Sequence, residues 1–103
     1  MINIVAHITA KPGKRAEILA AFRTYLPTVL AEEGCIEYAP LVDTEGISRK
    51  VQTPLGADTL MVIEKWSNLE ALRAHGAATS TATFTARIDD LAVTRTIHVL
   101  SPA

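Results

Sequence analysis

The sequence predicts an α+β domain in which strands and helical regions follow one another in the order β-α-β-β-α-β. Two kinds of pattern carry this prediction. Four stretches have the residues of strands, and two regions have apolar residues three or four positions apart, as in helices. The chain has 103 residues, which is the length of one domain. No repeat or linker divides it, so we expect a single domain over residues 1–103.

The first strand is predicted over residues 2–10. Strand side chains alternate between the two faces of a sheet. The stretch therefore has two sets of neighbours, Ile4, Ala6 and Ile8 on one face and Asn3, Val5, His7 and Thr9 on the other. Lys11-Pro12-Gly13 follows and has the residues of a turn.

A long helix is predicted over residues 14–33. Apolar residues recur there at helical spacing and form one stripe: Ile18, Phe22, Leu26, Val29 and Leu30. Pro27 lies inside this pattern and removes one backbone hydrogen bond, so we expect a kink. Gly34 follows and suits the left-handed conformation in which helices commonly end.

A second strand is predicted over residues 35–42. It contains Pro40, which has no N–H to donate, so the strand should lie at an edge of the sheet or contain a bulge. Residues 43–57 are polar and contain glycine and proline, which predicts a long loop with a few extended residues at 48–52. Loops of this length are often functional.

A third strand and a short helix are predicted over residues 59–75. Alternation places Leu60, Val62, Glu64 and Trp66 on one strand face and Met61, Ile63 and Lys65 on the other. A carboxylate two residues before a tryptophan, on an otherwise apolar face, is the most unusual local feature of the chain. Ser67 or Asn68 is expected to cap the helix, and Ser67 with Glu70 fits a capping box.

The rest of the chain predicts a break at Gly76-Ala77, a second short helix over residues 80–89 and a last strand over residues 91–100. The complete order is that of the split β-α-β, or ferredoxin-like, fold, with a four-stranded antiparallel sheet covered by helices on one face. The strands are apolar on both faces, so the uncovered face should meet a second subunit or enclose a cavity. We therefore expect a homodimer with a barrel-like core.

Composition and charge argue against several classes of function. The net charge of −1 gives no electrostatic basis for binding nucleic acid or an anionic membrane. The single cysteine, Cys35, cannot form an intrachain disulfide. No apolar run approaches the roughly 20 residues that span a bilayer, and the first residues lack the basic region of a signal peptide. We expect a cytoplasmic protein.

No metal or cofactor site is predicted. The three histidines, His7, His75 and His98, do not occur at metal-ligand spacing. Neither a P-loop, nor a dinucleotide-binding glycine motif, nor a nucleophile elbow is present. We therefore expect neither a metal nor a cofactor.

Glu64, Trp66 and His75 are the main candidates for chemistry. Trp66 could wall a pocket for a flat apolar ligand with Glu64 as its polar anchor or base, or it could simply fill the core beside a carboxylate at the rim. His75 could be a general base facing a cavity or a surface cation at a helix C-terminus. Tyr38 could hydrogen-bond a substrate oxygen or pack in the core. Minor candidates are His7, His98 and Arg95, the last also a candidate ion-pair partner.

Two longer runs carry a resemblance to a known family. EEGCIEYAP at residues 32–40 and VIEKWSNLEALRAH at residues 62–75, with KPG at residues 11–13, resemble the antibiotic-biosynthesis monooxygenase family, in particular its small bacterial quinol monooxygenases. The resemblance implies a dimeric α+β barrel. It also implies cofactor-free oxidation of quinols, polyphenols or polyketide-type aromatics by O2, in a pocket lined at the positions of Val62, Glu64 and Trp66.

The sequence also departs from that family. Many relatives have a second histidine about five residues after the position of His75, where this chain has Thr79-Ser80-Thr81. Haem-degrading relatives have an asparagine at the position of Ala6, so haem binding is disfavoured. The base is then His75, Glu64 or His7. Alternatives to an oxygenase are a protein that binds a small aromatic without turnover, an isomerase of a small signalling metabolite, and a dimerising accessory domain.

Overall fold

A computed structural model describes all residues, 1–103, and confirms the predicted order of elements. The strands and helices are β1 (Ile2–Ala10), α1 (Arg15–Leu30), β2 (Cys35–Leu41), β3 (Thr59–Trp66), α2 (Leu69–Ala77), α3 (Thr79–Leu91) and β4 (Ala92–Leu100). The second helical region is broken in two as predicted, but the break is at the extended residue Ala78, and Gly76-Ala77, where it was predicted, belongs to the end of α2.

The four strands form one antiparallel sheet in the order β2-β3-β1-β4, which is the ferredoxin-like arrangement. Ile4 of β1 lies opposite Glu64 of β3 and opposite Val99 of β4. Pro40 lies in β2, which is an edge strand, as its missing N–H predicted. The register therefore decides which side chains of different strands share a face.

The helices cover one face of the sheet, and the predicted alternation is observed there. The buried residues of this layer come from β1, β3, α1 and α3 and include Ile4, Ala6, Ile8, Leu60, Val62, Trp66, Ile18, Phe22, Val29 and Ile88. Glu64 is buried with them, because it occupies the same strand face. Ile18, Phe22, Leu26 and Val29 of the predicted apolar stripe pack on this face, so the core lies between the sheet and the helices. Leu30, also predicted in the stripe, is exposed.

No helix covers the opposite sheet face, which we call the open face. It contains Val5 of β1 opposite Ile63 of β3, and His7 opposite Met61. All four of these residues are partly exposed. The sheet therefore presents a second, largely apolar surface to its surroundings.

Other local details also differ from the sequence predictions. Helix α1 ends at Leu30 instead of residue 33. Residues 48–52 form a turn and not an extended segment, since the N–H groups of Val51 and Gln52 both donate to the carbonyl of Ser48. The helix α2 is capped by Asn68, whose side-chain oxygen accepts from the N–H of Ala71 at 2.8 Å, and the capping box predicted with Ser67 does not form.

The long loop between β2 and β3 is held at its base. The Asp43 carboxylate accepts hydrogen bonds from the backbone N–H groups of Leu55 and Gly56 at 2.8 and 2.9 Å. These two donors lower the pKa of Asp43. The Asp43 side chain therefore joins the beginning of the loop to its end.

Gly34 is the point at which α2 approaches the chain that follows α1. Its φ is +81°, and a Cβ placed there would lie 2.5 Å from the Cβ of Ala71 and 2.7 Å from the hydroxyl of Ser67. Its carbonyl also accepts the N–H of Ser67 at 2.8 Å. Position 34 therefore requires glycine, because glycine adopts a positive φ without strain and has no Cβ to clash with Ala71 and Ser67.

Replacing Gly34 by alanine is expected to destabilise the protein more than the same change at Gly46. Both glycines have nearly the same positive φ, but a Cβ at Gly46 meets nothing within 4 Å. Gly46→Ala should cost about 1–2 kcal/mol for the left-handed backbone alone, and Gly34→Ala should add the cost of displacing α2. Chemical denaturation measures both free energies of unfolding. Equal losses would show that α2 does not depend on the close approach.

Candidate active site

A cavity of about 320 Å³ lies between the covered sheet face and helices α2 and α3. Its walls are mainly apolar and include Ile4, Ala6, Val62, Phe22, Leu72 and Ile97. The polar side chains that line it are Tyr38, Glu64, His75, Thr81, Thr85 and Arg95. A concave, apolar space with a few polar groups is the usual form of a small-molecule site, and this volume is at the lower end of the usual range.

One helix contributes a whole wall. Thr81, Phe84, Thr85 and Ile88 of α3 all line the cavity. Their spacing of three, four and seven residues places them on one face of the helix. Helix α3 therefore covers the cavity with a continuous stripe of small and large side chains.

Glu64 is the buried carboxylate of the site, with 6 % of its surface exposed. Its Oε1 accepts a hydrogen bond from the indole Nε1–H of Trp66 at 3.0 Å. The two residues are two positions apart on β3, so the indole reaches its neighbour along the same strand face. Burial raises the pKa of Glu64, and the Trp66 hydrogen bond and the nearby His75 oppose that rise.

His75 lies in the last turn of α2 and has 7 % of its surface exposed. Its Nδ1 lies 3.1 and 3.2 Å from the two carboxylate oxygens of Glu32 and 3.3 Å from the hydroxyl of Thr81. Its ring also packs against that of Trp66, with the centroids 4.6 Å apart. His75 is therefore a buried imidazole with hydrogen-bond partners, and not the surface cation that was the other prediction for this residue.

Tyr38 stands on β2 opposite Glu64, and its ring lies 6.1 Å from that of His75. Burial raises the pKa of Tyr38 far above its ordinary value, and the charge of Glu64 adds to the rise. The phenol therefore stays protonated over the whole physiological range and can only be a neutral donor or acceptor. Its hydroxyl makes no hydrogen bond within the chain, so it is available to a bound molecule.

Tyr25 supports the other side of the site. Its ring is stacked on that of Phe84 with the centroids 4.0 Å apart, and its hydroxyl lies 3.3 Å from that of Thr81. Thr81 in turn meets Nδ1 of His75. The polar groups from α1, α2 and α3 are thus joined in one hydrogen-bonded chain.

Arg95 lines the cavity from β4, where it lies opposite Ile8. Its Nε and Nη2 donate to the two carboxylate oxygens of Asp89 at 2.8 and 3.1 Å. This pair confirms the ion-pair interpretation of Arg95. The contact joins the end of α3 to β4 beside the cavity.

The structure brings together five of the residues proposed from sequence, since the cavity is lined by Val62, Glu64, Tyr38, His75 and the minor candidate Arg95. Trp66 does not line it; the indole is fully buried behind Glu64 and His75, so its place is that of a supporting hydrogen-bond donor instead of a wall. His7 lies on the open face, opposite Met61 and Thr96, and does not join the site. His98 lies on the same open face opposite Val5.

Sequence reasoning missed the partners of His75. Glu32 was noted only as part of the run at residues 32–40, and Thr81 only as part of a departure from the family. Glu32 lies 43 residues from His75 in the sequence, and no local spacing indicates such a contact. The signal in the sequence that could have indicated this contact is Gly34, two residues after Glu32. A glycine that a close approach requires marks the place where two elements meet.

No group of three or more histidine, cysteine, aspartate or glutamate side chains is placed to hold a metal ion. None of the three helices has both the length and the apolar character needed to cross a membrane.

Comparison with known proteins identifies the family. The sequence profile described as antibiotic biosynthesis monooxygenase matches residues 1–87. The chain belongs to the antibiotic biosynthesis monooxygenase family. This confirms the resemblance seen in the two sequence runs, and both runs lie within the matched residues.

The chain is also similar in sequence to a named relative and in fold to solved structures. The chain is 40 % identical over 78 residues to the Escherichia coli K12 protein named "Probable quinol monooxygenase YgiN", which covers 73 % of this chain and 72 % of the relative. A conserved protein from Methanosarcina mazei Go1 has a TM-score of 0.82 at 21 % identity, covering 99 % of this chain and 92 % of that one. Rv0793 from Mycobacterium tuberculosis has a TM-score of 0.79 at 19 % identity, covering 99 % and 94 %. The two structures share the fold.

Replacing Glu64 by glutamine is expected to change how stability depends on pH. The raised pKa of Glu64 means that the folded state holds this proton more tightly than the unfolded state, whose glutamates titrate at about pH 4.3. The stabilisation from that proton is complete below the unfolded pKa and is lost as the pH rises through the folded pKa. Relative to the wild type, Glu64→Gln should therefore gain stability from about pH 4 upward.

The gain should be about 1.4 kcal/mol for each pH unit that separates the folded from the unfolded pKa. Urea denaturation of both proteins at a series of pH values measures it. A stability difference that stays constant from acid to neutral pH would show that burial does not perturb Glu64.

Proposed function

We propose that the protein is a cofactor-independent monooxygenase that oxidises a small hydroxylated aromatic, of the quinol, polyphenol or polyketide type, with O2. One observation carries the proposal: an apolar cavity of about 320 Å³ that gathers Tyr38, Glu64 and His75 against its walls. Family membership supports the reaction type. The name of the Escherichia coli relative supports the choice of quinols within that class.

The chemistry needs only the substrate and O2. A hydroquinone that loses a hydroxyl proton becomes an electron-rich phenolate, which can give electrons to O2. One oxygen atom then forms a new C–O bond on the ring, and the other leaves as water, so that hydroquinone and O2 yield a hydroxyquinone and water. The ring supplies all four electrons that O2 takes up.

The side chains fit the proton transfers in that sequence. His75 and Glu64 are the candidate proton acceptors, because both are buried at the cavity and titratable. Tyr38 is a neutral phenol whose hydroxyl is free to hydrogen-bond a substrate oxygen. The apolar walls exclude water, which strengthens these interactions and limits side reactions of the reduced oxygen species.

Oxygen consumption with a panel of benzo- and naphthohydroquinones tests the proposal. The protein is first freed of metal and flavin, and uptake is measured above autoxidation. His75→Asn and Glu64→Gln should each lower kcat, by about 10²–10⁴-fold for the residue that is the base. Glu33→Gln is the matched control, because it changes an exposed glutamate away from the cavity and should leave the rate unchanged.

Two results would contradict an oxygenase. Saturable quenching of Trp66, the one tryptophan, without O2 uptake would indicate a protein that only binds small aromatics. Equal rates in the wild type and in both site variants would mean that the observed oxidation occurs outside this cavity.

We also infer that two copies of the chain associate through the open face. That face carries Val5, Met61 and Ile63, which no helix covers. A chain of this size buries a limited fraction of its surface alone, yet 49 % of its residues are hydrophobic. A self-complementary pairing of two open faces would bury these side chains in the centre of a dimer.

Val5→Lys is expected to convert the dimer to a monomer at micromolar concentration, because it places a charge in the centre of the paired faces. Val51→Lys is the matched control, since Val51 lies in the long loop and is 80 % exposed. Sedimentation velocity measures the mass of each species. A monomeric wild type, or a dimer that Val5→Lys leaves intact, would rule out association through this face.

A further inference from the structure

The pairing of Glu32 with His75 has a feature that simple packing does not require. Both carboxylate oxygens of Glu32 face the same ring nitrogen, at 3.1 and 3.2 Å from Nδ1. The histidine side chain is only 9 % exposed and that of Glu32 is 21 % exposed. The contact is therefore largely shielded from water, where a hydrogen bond to a charged group is worth more than at the surface.

The chemistry of the two groups decides where the ring proton lies. An ionised carboxylate can only accept hydrogen bonds, so Nδ1 must be the donor in this contact. A neutral imidazole with its hydrogen on Nδ1 has its lone pair on Nε2. The other tautomer would place the lone pair of Nδ1 against two acceptor oxygens. Thr81, 3.3 Å from Nδ1, does not discriminate, because a hydroxyl can donate or accept.

Nε2 is then the nitrogen that remains for a ligand. All hydrogen bonds of the ring within the chain are made by Nδ1. His75 lines the cavity. The lone pair needed to accept a proton is thus on the nitrogen that no protein group occupies.

We propose that Glu32 is a positioning residue that fixes His75 as the Nδ1–H tautomer, so that Nε2 accepts the hydroxyl proton of the substrate. The proposal rests on the oxygenase function above. When the substrate O–H bond breaks, a new N–H bond forms at Nε2 and the imidazolium faces the Glu32 carboxylate. The proton returns to the reduced oxygen when water is formed. Glu32 acts as the hydrogen-bond acceptor of Nδ1–H, as an orienting carboxylate does beside a catalytic histidine.

A purely structural role is the rival explanation. Glu32 follows α1 and His75 ends α2, so their contact also joins these two helices. A structural contact would affect stability when removed, but it would not need to control the ring tautomer or to act on kcat apart from KM. These two readouts separate the explanations.

The test begins with ¹⁵N NMR of the imidazole nitrogens, which distinguishes the tautomers without any activity measurement. The wild type should show Nδ1–H for His75, and Glu32→Ala should shift the ring towards Nε2–H, the form that free histidine prefers. Glu32→Gln should partly retain Nδ1–H, because its amide oxygen can still accept. Glu33→Gln is the matched control: it removes a neighbouring exposed charge without touching the ring and should leave the tautomer unchanged.

Kinetics with the hydroquinone panel completes the test. Glu32→Ala should lower kcat by about 10–100-fold, the range found when the partner that orients a metal-binding histidine is removed, with little change in KM. Glu32→Gln should recover part of that loss, and Glu33→Gln should match the wild type. Equal losses of kcat in Glu32→Gln and Glu32→Ala, with the tautomer unchanged in both, would favour the structural role.

The outcomes also separate this proposal from the oxygenase proposal. An Nε2–H tautomer in the wild type would overturn the role of Glu32 whatever the activity. A normal kcat in Glu32→Ala, with the tautomer shifted, would overturn it as well. If the wild type takes up no O2, the oxygenase is rejected and with it the catalytic consequence, while the NMR comparison still decides whether Glu32 orients His75.

Discussion

The alternation of β3 is the constraint on which the rest of the structure depends. Strand side chains point to opposite faces in turn, and this period places Glu64 on the same face as Leu60, Val62 and Trp66. A carboxylate is thereby carried into an apolar layer, where it needs a hydrogen-bond partner. Trp66 provides that partner from the same strand. The site is built outward from this pair, with His75 of α2 packed against the indole and Tyr38 opposite the carboxylate.

Much of the fold could be predicted because it is encoded locally. The period-two pattern gave β1 and β3 with their correct faces, and Pro40 placed β2 at an edge. The errors occurred where the sequence offers equivalent choices, as between Ser67 and Asn68 for the cap of α2. Backbone conformation decides such choices, and the side-chain types alone do not. The turn at residues 48–52 is another case, because its short polar segment has no period to read.

The site could be predicted only in part, for a different reason. Glu64 and Val62 belong to a strand whose face the pattern determines, so their place at the cavity follows from it. His7 has the chemistry of a base but lies on the other face of β1, which the phase of that strand already implied. Glu32 reaches His75 across 43 residues through the packing of α2 at Gly34. Such contacts are properties of the assembled fold, so no pattern within a single element reveals them.

The side chains that shape the cavity and the candidate proton acceptors lie on different elements of the fold. Phe84, Thr85 and Ile88 shape the cavity from one helix face, whereas Glu64 and His75 belong to β3 and α2. Exchanges at Phe84, Thr85 and Ile88 alter the volume and outline of the cavity, whereas Thr81 of the same stripe hydrogen-bonds His75 and is part of its support. The architecture thus offers evolution, or a protein engineer, a way to change the shape of the cavity at three positions of one helix while Glu64 and His75 stay unchanged.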